Sequence, residues 1–263
     1  MIIYKGEESM AKKVRGFGKK IFYTVIFLIT CSVIAYYFKD RFNKPTFILY
    51  KEFGIYIPVN YQIHGIDVSR HQKEILWDEV KQMKVNNVAV GFTFIKATEG
   101  TDLVDVGYKN NMRNALAAGI PRGAYHFFTG SKNGKLQAAH FVQNVYLKKG
   151  DLPPVLDVEQ ANGVSVKEFQ QRVADWLNLV EKRYKVKPII YSNISFYKKY
   201  LAGKFDDYPL WVAHYLEKNK PRIQRNWSFW QHNETGHVNG ISTNVDFNVF
   251  NGDSTAFQNM LIK

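Results

Sequence analysis

The sequence predicts an α/β protein built on a TIM-like barrel, complete or incomplete, with about eight strands and five helices. Short apolar runs without regular polar alternation recur after residue 62, which is typical of strands covered on both faces. Amphipathic stretches separate the earlier runs, whereas the later runs follow one another closely. A chain of 263 residues is long enough for one such domain.

An apolar segment precedes this domain. Residues 21–38 carry no charge and would extend about 27 Å as a helix, just enough to cross a hydrocarbon core of about 30 Å. Basic side chains are concentrated before the segment, which places the N-terminus of such a helix in the cytosol. We therefore expect a basic cytosolic N-terminus at 1–20, a transmembrane signal-anchor at 21–38, a stalk at 39–61 and a globular domain at 62–263.

Two alternatives remain for the apolar segment. Val33 and Ala35 form a small-residue pattern that suits cleavage by a signal peptidase, which would release the domain as a secreted protein. Residues 28–31 weakly resemble a lipoprotein signal, although Thr30 fits poorly before Cys31. An uncleaved anchor is favoured because the apolar run continues past the cleavage pattern.

Eight apolar runs predict the strands, and five amphipathic stretches predict the helices. The strands fall at 63–68, 88–95, 122–128, 153–158, 188–192, 209–213, 227–231 and 244–250. The helices fall at 75–86, 107–118, 134–149, 165–184 and 194–202. Gly119 and Gly203 follow two of these helices, where glycine favours the left-handed backbone that ends a helix. No convincing helix follows the sixth strand.

The composition argues against several classes of protein. The formal net charge is +13, but no run of Lys or Arg exceeds two residues, so we expect no nucleic-acid-binding arm. A single cysteine leaves the domain without a disulfide. The histidines lack paired metal-binding spacing and no phosphate-binding glycine motif occurs, so we expect no metal and no other cofactor. Among the histidines, His126 is expected to be a hydrogen-bonded barrel residue.

Four acidic residues fall at the ends of predicted strands: Asp67, Asp157, Glu159 and Asp246. The C-terminal ends of parallel barrel strands meet at one mouth, so these carboxyl groups are expected to converge there. A single Asp at a strand end is commonly a turn former or a helix cap. Asp157 and Glu159 are harder to explain in that way, because a period of two directs both side chains into the barrel.

Neighbouring carboxyl groups also predict chemistry. They cannot all ionise without mutual repulsion, so one of them is expected to keep its proton near neutral pH. Cleavage of a glycosidic bond needs an acid that protonates the leaving oxygen and a carboxylate that stabilises the positive charge developing on the sugar. A site of this kind can cut a sugar chain without a metal.

Eight motifs between residues 61 and 250 resemble those of the glycoside hydrolase family 25 lysozymes, the Chalaropsis-type N-acetylmuramidases. In order they are HGIDVSRHQ, FIKATEG, GAYHFF, PVLDVE, IIYSN, LWVAHY, WQH and VDFN. The resemblance implies a flattened, incomplete barrel of about eight strands and five helices as the catalytic domain. It also implies hydrolysis with net retention of configuration.

The resemblance implies a role for each acid. Glu159 matches the general acid/base, and Asp157 matches the carboxylate that assists, either as a nucleophile or by orienting the N-acetyl group of the substrate for attack. Asp67 and Asp246 match two further acids that hydrogen-bond sugar and water. No position departs from the family pattern at these four residues.

Three aromatic residues, Tyr125, Tyr191 and Trp211, match positions that line the sugar groove of the family. Aromatic rings suit the apolar faces of sugars, although Trp211 suits ordinary core packing equally well. Lys96 is expected to point into the same mouth and to support an anion there, with a solvated surface charge as the alternative.

The leading hypothesis is a peptidoglycan hydrolase that cleaves the β-1,4 bond between N-acetylmuramic acid and N-acetylglucosamine. Its partners would be peptidoglycan glycan strands and, through residues 21–38, the membrane. We expect a monomer whose catalytic domain lies outside the cytosol in the cell envelope. Two alternatives remain open: a catalytically silent peptidoglycan-binding module, and a metal-dependent amidase that acts on the same polymer.

Overall fold

The computed structural model describes residues 22–36, 46–215, 217 and 219–263. The chain divides into two compact units, Met1–Pro45 and Thr46–Lys263. The second unit carries every site residue predicted above.

The first unit contains helix α1, which covers residues 22–36 and exposes its apolar side chains. Within the described residues, no helix combines the length and the apolar character needed to cross a membrane. The structure therefore does not confirm the transmembrane prediction for residues 21–38, of which residues 21, 37 and 38 lie outside the described part. The predicted basic N-terminus at 1–20 also lies outside it.

The described residues of the second unit form twelve strands and six helices. The strands are β1 (Phe47–Tyr50), β2 (Ile55–Pro58), β3 (His64–Val68), β4 (Lys84–Val85), β5 (Val88–Glu99), β6 (Leu103–Val104), β7 (Arg122–Phe127), β8 (Val155–Asp157), β9 (Ile189–Asn193), β10 (Leu210–Ala213), β11 (Phe229–Gly236) and β12 (Val245–Phe250). The helices are α2 (Trp77–Gln82), α3 (Tyr108–Ala117), α4 (Gly134–Asn144), α5 (Val166–Tyr184), α6 (Ile194–Phe196) and α7 (Ser254–Met260), with a 3₁₀ turn at Arg70–Gln72 and a π turn at Tyr197–Leu201. All eight predicted strands are present, and all five predicted helices have a counterpart. Helices α2 and α4 end earlier than predicted, and the helix predicted at 194–202 is the short α6 followed by the π turn.

Eight strands close into a barrel in the order β3, β5, β7, β8, β9, β10, β11, β12 and back to β3. The pairs from β3 through β5 to β11 are parallel, whereas β12 runs antiparallel to both β11 and β3. An antiparallel strand can return through a short connection, so β12 needs no crossover helix before it. The prediction of an incomplete barrel is wrong, because the pairing of β12 with β3 closes the sheet.

Aromatic side chains fill the lower part of the barrel lumen. Phe94 stacks on Trp211 with ring centroids 4.5 Å apart, and Phe92 meets the edge of Phe229 at 5.1 Å. Helix α7 closes the bottom of this core, because Phe257 packs against Phe92 at 5.7 Å. This C-terminal helix was not predicted, since Phe257 is its only buried residue and one apolar position creates no periodic pattern.

Two glycines in the predicted strands make room for these rings. A Cβ atom on Gly65 would lie 2.6 Å from the ring of Phe92, and one on Gly123 would lie 2.8 Å from the ring of Phe94. Both distances are shorter than carbon atoms tolerate. The phenylalanines can therefore occupy the lumen only because the neighbouring strands carry no side chain at these positions.

His126 lies on the outer side of the barrel wall, where it is fully buried under α4 and α5. Its Nδ1 atom lies 2.7 Å from the Thr98 hydroxyl, its Nε2 atom lies 3.3 Å from Oε1 of Gln137, and its ring stacks on Trp176. Burial lowers the pKa of His126 to about 3, so the ring is neutral. The prediction of a hydrogen-bonded structural histidine is confirmed.

The predicted stalk contributes a hairpin to the domain. Strands β1 and β2 pair antiparallel, and Phe53 in the turn between them is fully buried against Phe247 at a centroid distance of 5.3 Å. Phe47 also makes an edge-to-face contact with the ring of Trp230, at a centroid distance of 5.9 Å. The compact unit accordingly begins at Thr46 rather than at residue 62, because the apolar residues of this segment cover the outside of the barrel.

Candidate active site

Strand β8 ends at Asp157, and the residue after next, Glu159, also lies at the mouth of the barrel. The amide nitrogen of Val158 donates to the Tyr191 carbonyl at 2.9 Å, and the Val158 carbonyl accepts from the Ser192 hydroxyl at 2.8 Å. Val158 is therefore held facing the outer core, in which it is fully buried. Asp157 and Glu159 on either side of it face the opposite way, as the period of two predicts.

All eight predicted site residues line one cavity of about 450 Å³ at this mouth. They are Asp67, Lys96, Tyr125, Asp157, Glu159, Tyr191, Trp211 and Asp246. Further lining residues that the sequence did not indicate are Ser69, His71, Phe127, Tyr215, Gln231 and Glu234. The predicted convergence of strand ends is present, and the cavity has a size that suits a short stretch of glycan.

Asp67 and Asp246 face each other across the pairing of β3 with β12. The Asp67 Oδ2 atom accepts hydrogen bonds from Gln231 Nε2 at 2.9 Å and from Asn248 Nδ2 at 2.7 Å. Burial raises the pKa of Asp67 to about 6, and the hydrogen bonds from Asn248, Gln231 and Asp246 oppose that rise. Burial, followed by the negative charges of Asp67 and Glu234, raises the pKa of Asp246 to about 9. One proton is thus shared by this pair near neutral pH.

Asp157 and Glu159 form the second pair. Burial raises the pKa of Asp157 well above its usual range, and the charge of Glu159 raises it further, whereas the cation of Lys96 lowers it. Burial is also the main reason that the pKa of Glu159 is raised, with Asp67 as the second cause. Asp157 is 7% exposed, and its Oδ1 atom has no hydrogen-bond partner among the described residues.

Lys96 lies between the barrel core and the mouth. Its ammonium group bonds the Glu99 carboxylate at 2.7 Å and lies 4.8 Å from the ring centroid of Phe127. Only 13% of its side chain is exposed. The side chain therefore does line the mouth. Its positive charge pairs with Glu99 and also lowers the pKa of Asp157.

The three predicted aromatic residues occupy different depths. Tyr125 is partly exposed, and Tyr191 donates its hydroxyl to Gln231 Oε1 at 2.7 Å. Trp211 lies deepest, with 2% of its surface exposed and one face covered by Phe94. Its indole Nε1 donates to Asn248 Oδ1 at 2.7 Å, so Trp211 belongs to the barrel core as much as to the cavity.

The amides of Gln231 and Asn248 are the main residues that sequence reasoning missed. Gln231 also accepts from the Tyr215 hydroxyl at 2.6 Å, which brings a loop residue into the site. Asn248 carried a usable signal, since it lies two residues after Asp246 on the same strand and shares its face. Gln231 carried only its place in a strand and in the WQH motif.

A larger cavity of about 830 Å³ lies elsewhere on the domain, between the start of α2 and α3, where its lining includes Asp78, Asn110 and Arg113. None of the predicted site residues lines it. Volume alone does not identify a site, whereas the raised pKa values of several acids in one smaller cavity do indicate one.

A closed barrel with paired carboxyl groups of raised pKa gathered at one mouth is typical of a glycoside hydrolase. A family model supports the same class: residues 66–241 match that of the glycosyl hydrolases family 25, and the chain belongs to this family.

Relatives and solved structures agree with the family. The chain is 50% identical over 202 residues to the uncharacterized protein YegX of Escherichia coli O6:H1, covering 77% of this chain and 74% of the relative. It is 36% identical over 209 residues to lysozyme M1 of Streptomyces globisporus, covering 73% and 69%. A family 25 glycosyl hydrolase from Bacillus anthracis superposes with a TM-score of 0.71 at 33% identity, covering 77% of this chain and 95% of that one.

Proposed function

We propose that this protein is a peptidoglycan hydrolase, a muramidase that cleaves the β-1,4 bond between N-acetylmuramic acid and N-acetylglucosamine. The observation that carries the proposal is the presence of Asp157 and Glu159 side by side in one cavity, both with raised pKa values. The similarity to lysozyme M1 supports peptidoglycan as the polymer.

Glu159 is the proton donor in this proposal. Its position matches the general acid/base of the family motif, and burial raises its pKa, which favours the protonated form that can pass a proton to the leaving oxygen of the glycosidic bond. Asp157 is the assisting carboxylate in this proposal because its position matches that role in the family motif; burial and the charge of Glu159 raise its pKa, and Lys96 is the neighbouring cation that favours its ionised form. Two neighbouring acids that repel each other favour a state with one proton between them, and the reaction needs that proton on Glu159.

The second half of the reaction follows from the first. Asp157 stabilises the positive charge on the anomeric carbon, either by bonding to it or by orienting the N-acetyl group that does so. Glu159, now ionised, then removes a proton from the water that completes hydrolysis. Both routes give net retention, and Asp67 and Asp246 hydrogen-bond the sugar and this water.

The substitution Glu159→Gln tests the assignment. A carboxamide cannot donate the proton, so release of new reducing ends from purified cell walls should fall by about 10² to 10⁴-fold. Asp157→Asn should cause a loss of similar size. Glu168→Gln on the outer surface of α5 is the matched control, since Glu168 is half exposed and pairs only with Arg172 in the ion pairs described. Full activity in a folded Glu159→Gln variant would falsify the proton-donor role.

The products discriminate between the competing functions. Mass spectrometry of digested peptidoglycan should show muropeptides that end in reducing N-acetylmuramic acid. A silent binding module would retain the protein on walls without new reducing ends. A metal-dependent amidase would release stem peptides and would stop in the presence of a chelator.

We also propose that the catalytic domain acts outside the cytosol as a monomer, with residues 21–38 as the anchor. The charge-free apolar sequence of this segment and the basic residues before it support the proposal. Cell fractionation with sizing of the product tests it. Full-length protein in the membrane fraction is the expected result, whereas a shortened soluble product would indicate cleavage and secretion.

A further inference from the structure

Asp67 is the only one of the four acids for which the described hydrogen bonds include two side-chain amide donors. Gln231 Nε2 and Asn248 Nδ2 both reach its Oδ2 atom, at 2.9 and 2.7 Å. Gln231 and Asn248 are paired in register on β11 and β12, so the two amides approach from adjacent strands. An oxygen that receives two N–H groups serves as an acceptor, which is the role of an ionised carboxylate.

The orientation of the Asn248 amide is set by Trp211. An indole N–H can only donate, so Asn248 must turn its Oδ1 atom toward Trp211 Nε1, which lies 2.7 Å away. Its Nδ2 group then has to face Asp67. The other orientation would bring two N–H groups together and would leave Asp67 without this donor.

The orientation of the Gln231 amide is set by two phenols. The hydroxyls of Tyr191 and Tyr215 both donate to its Oε1 atom, at 2.7 and 2.6 Å. The Nε2 group is therefore left to face Asp67. Two aromatic residues thus orient one amide, a third orients the other, and both amides present donors to the same carboxylate oxygen.

We propose that Trp211, Asn248 and Gln231 are positioning residues that hold Asp67 as the ionised acceptor and thereby place the proton shared by the two acids on Asp246. The proposal rests on the proposed function and assigns Trp211 an action through Asn248 rather than through sugar stacking. Asp246 then keeps its proton and donates a hydrogen bond to the ionised Asp67, so the pair carries a single negative charge.

The other charged groups around the pair favour the same arrangement. Glu234 on β11 and Glu159 after β8 both act on Asp246 with negative charge, and Tyr215 contributes a neutral hydroxyl. The other ionisable side chains of the lining are Lys96 on β5, Asp157 at the end of β8, His71 on the 3₁₀ turn, Tyr125 and Tyr191. Negative neighbours disfavour a second charge on Asp246, whereas Asp67 has its amide donors to compensate for ionisation.

The substitution Trp211→Phe tests the proposal, because it keeps an aromatic ring in the core but removes the N–H that orients Asn248. The pKa of Asp67 should rise by about one unit, since a hydrogen bond to its charged form is no longer enforced. The acid limb of the pH profile of kcat/KM should move to higher pH by a similar amount. Trp230→Phe is the matched control: Trp230 is also fully buried, but its indole donates to the His214 carbonyl outside the site, so the limb should not move.

A second variant and a second measurement keep the test decisive. Asn248→Ala removes the amide itself and should raise the pKa of Asp67 even if Trp211→Phe folds poorly. The ¹³Cγ resonance of Asp67, identified by its absence in Asp67→Asn, reports that pKa by titration without any substrate. An unmoved Asp67 titration in both folded variants would overturn the proposal, whereas an inactive wild-type protein with the expected titration shifts would overturn only the proposed function.

Discussion

The substitution Asp246→Asn is expected to stabilise the folded protein, and more so as the pH rises. The pKa of Asp246 is near 3.8 in an unfolded chain and is raised to about 9 by burial and by the charges of Asp67 and Glu234. Between these two values the folded chain holds a proton that the unfolded chain releases. The free energy of unfolding therefore falls as the pH rises through this window. Asparagine removes that loss, because it is neutral in both states and its amide can donate to Asp67 as the protonated acid does.

The size of the effect follows from the width of the window. Each pH unit contributes about 1.4 kcal/mol, so the ceiling between pH 4 and pH 7 is about 4 kcal/mol. Asp67 shares the proton and Asp246 is partly exposed, which reduces the expected gain to about 2 kcal/mol. For a domain of this size, that free energy corresponds to a rise in Tm of about 4–8 °C.

Thermal unfolding of wild type and variant from pH 4 to pH 8, followed by circular dichroism, measures this gain. Asp207→Asn is the matched control, because Asp207 is exposed and lies outside the cavity, so the same chemical change should give an offset that does not vary with pH. A difference in Tm between Asp246→Asn and wild type that stays constant from pH 4 to pH 8 would refute the reasoning. It would mean that Asp246 is ionised in the folded protein.

Two further substitutions test the electrostatics of the mouth and the packing beneath it. Lys96→Met should raise the pKa of Asp157, because it removes the cation that lowers that pKa. The acid limb of the pH profile of kcat/KM should then move to higher pH, and an unchanged limb would contradict the prediction. Gly123→Ala should lower the free energy of unfolding by about 1–3 kcal/mol in urea, because its Cβ would lie 2.8 Å from the ring of Phe94. Gly91→Ala is the control in the same sheet, with no contact closer than 3.3 Å, and an equal loss in both variants would contradict the packing argument.

The strands and most helices could be predicted because each carries its own signal. A strand covered on both faces reads as a short apolar run wherever it lies, and helix α5 repeats its buried positions over nineteen residues. Closure of the barrel could not be predicted in this way. It depends on the pairing of β12 with β3, two strands far apart in sequence, and neither strand shows in its own residues which neighbour it will have.

The acids of the site could be predicted for a similar reason. Charge at the end of an apolar strand is unusual enough to be noticed, and the topology of a parallel barrel brings such ends together. Neutral amides are not unusual in strands, so Gln231 had no such signal. Its importance comes from what it contacts, namely Asp67 and the hydroxyls of Tyr191 and Tyr215.

The depth of the cavity explains why these amides matter. Directly below the mouth, Trp211 stacks on Phe94, and both Trp211 and Asp67 are buried, at 2% and 7% exposure. Such burial raises the pKa values of the acids above it, which suits a proton donor but works against any acid that must stay ionised. The amides of Gln231 and Asn248 offset that cost of burial at Asp67 by donating hydrogen bonds to its Oδ2 atom. The protonation states of the acids at the mouth therefore depend in part on the aromatic residues below them. A substitution of Trp211 or Phe94 can accordingly alter the acid and base chemistry by changing the pKa of Asp67.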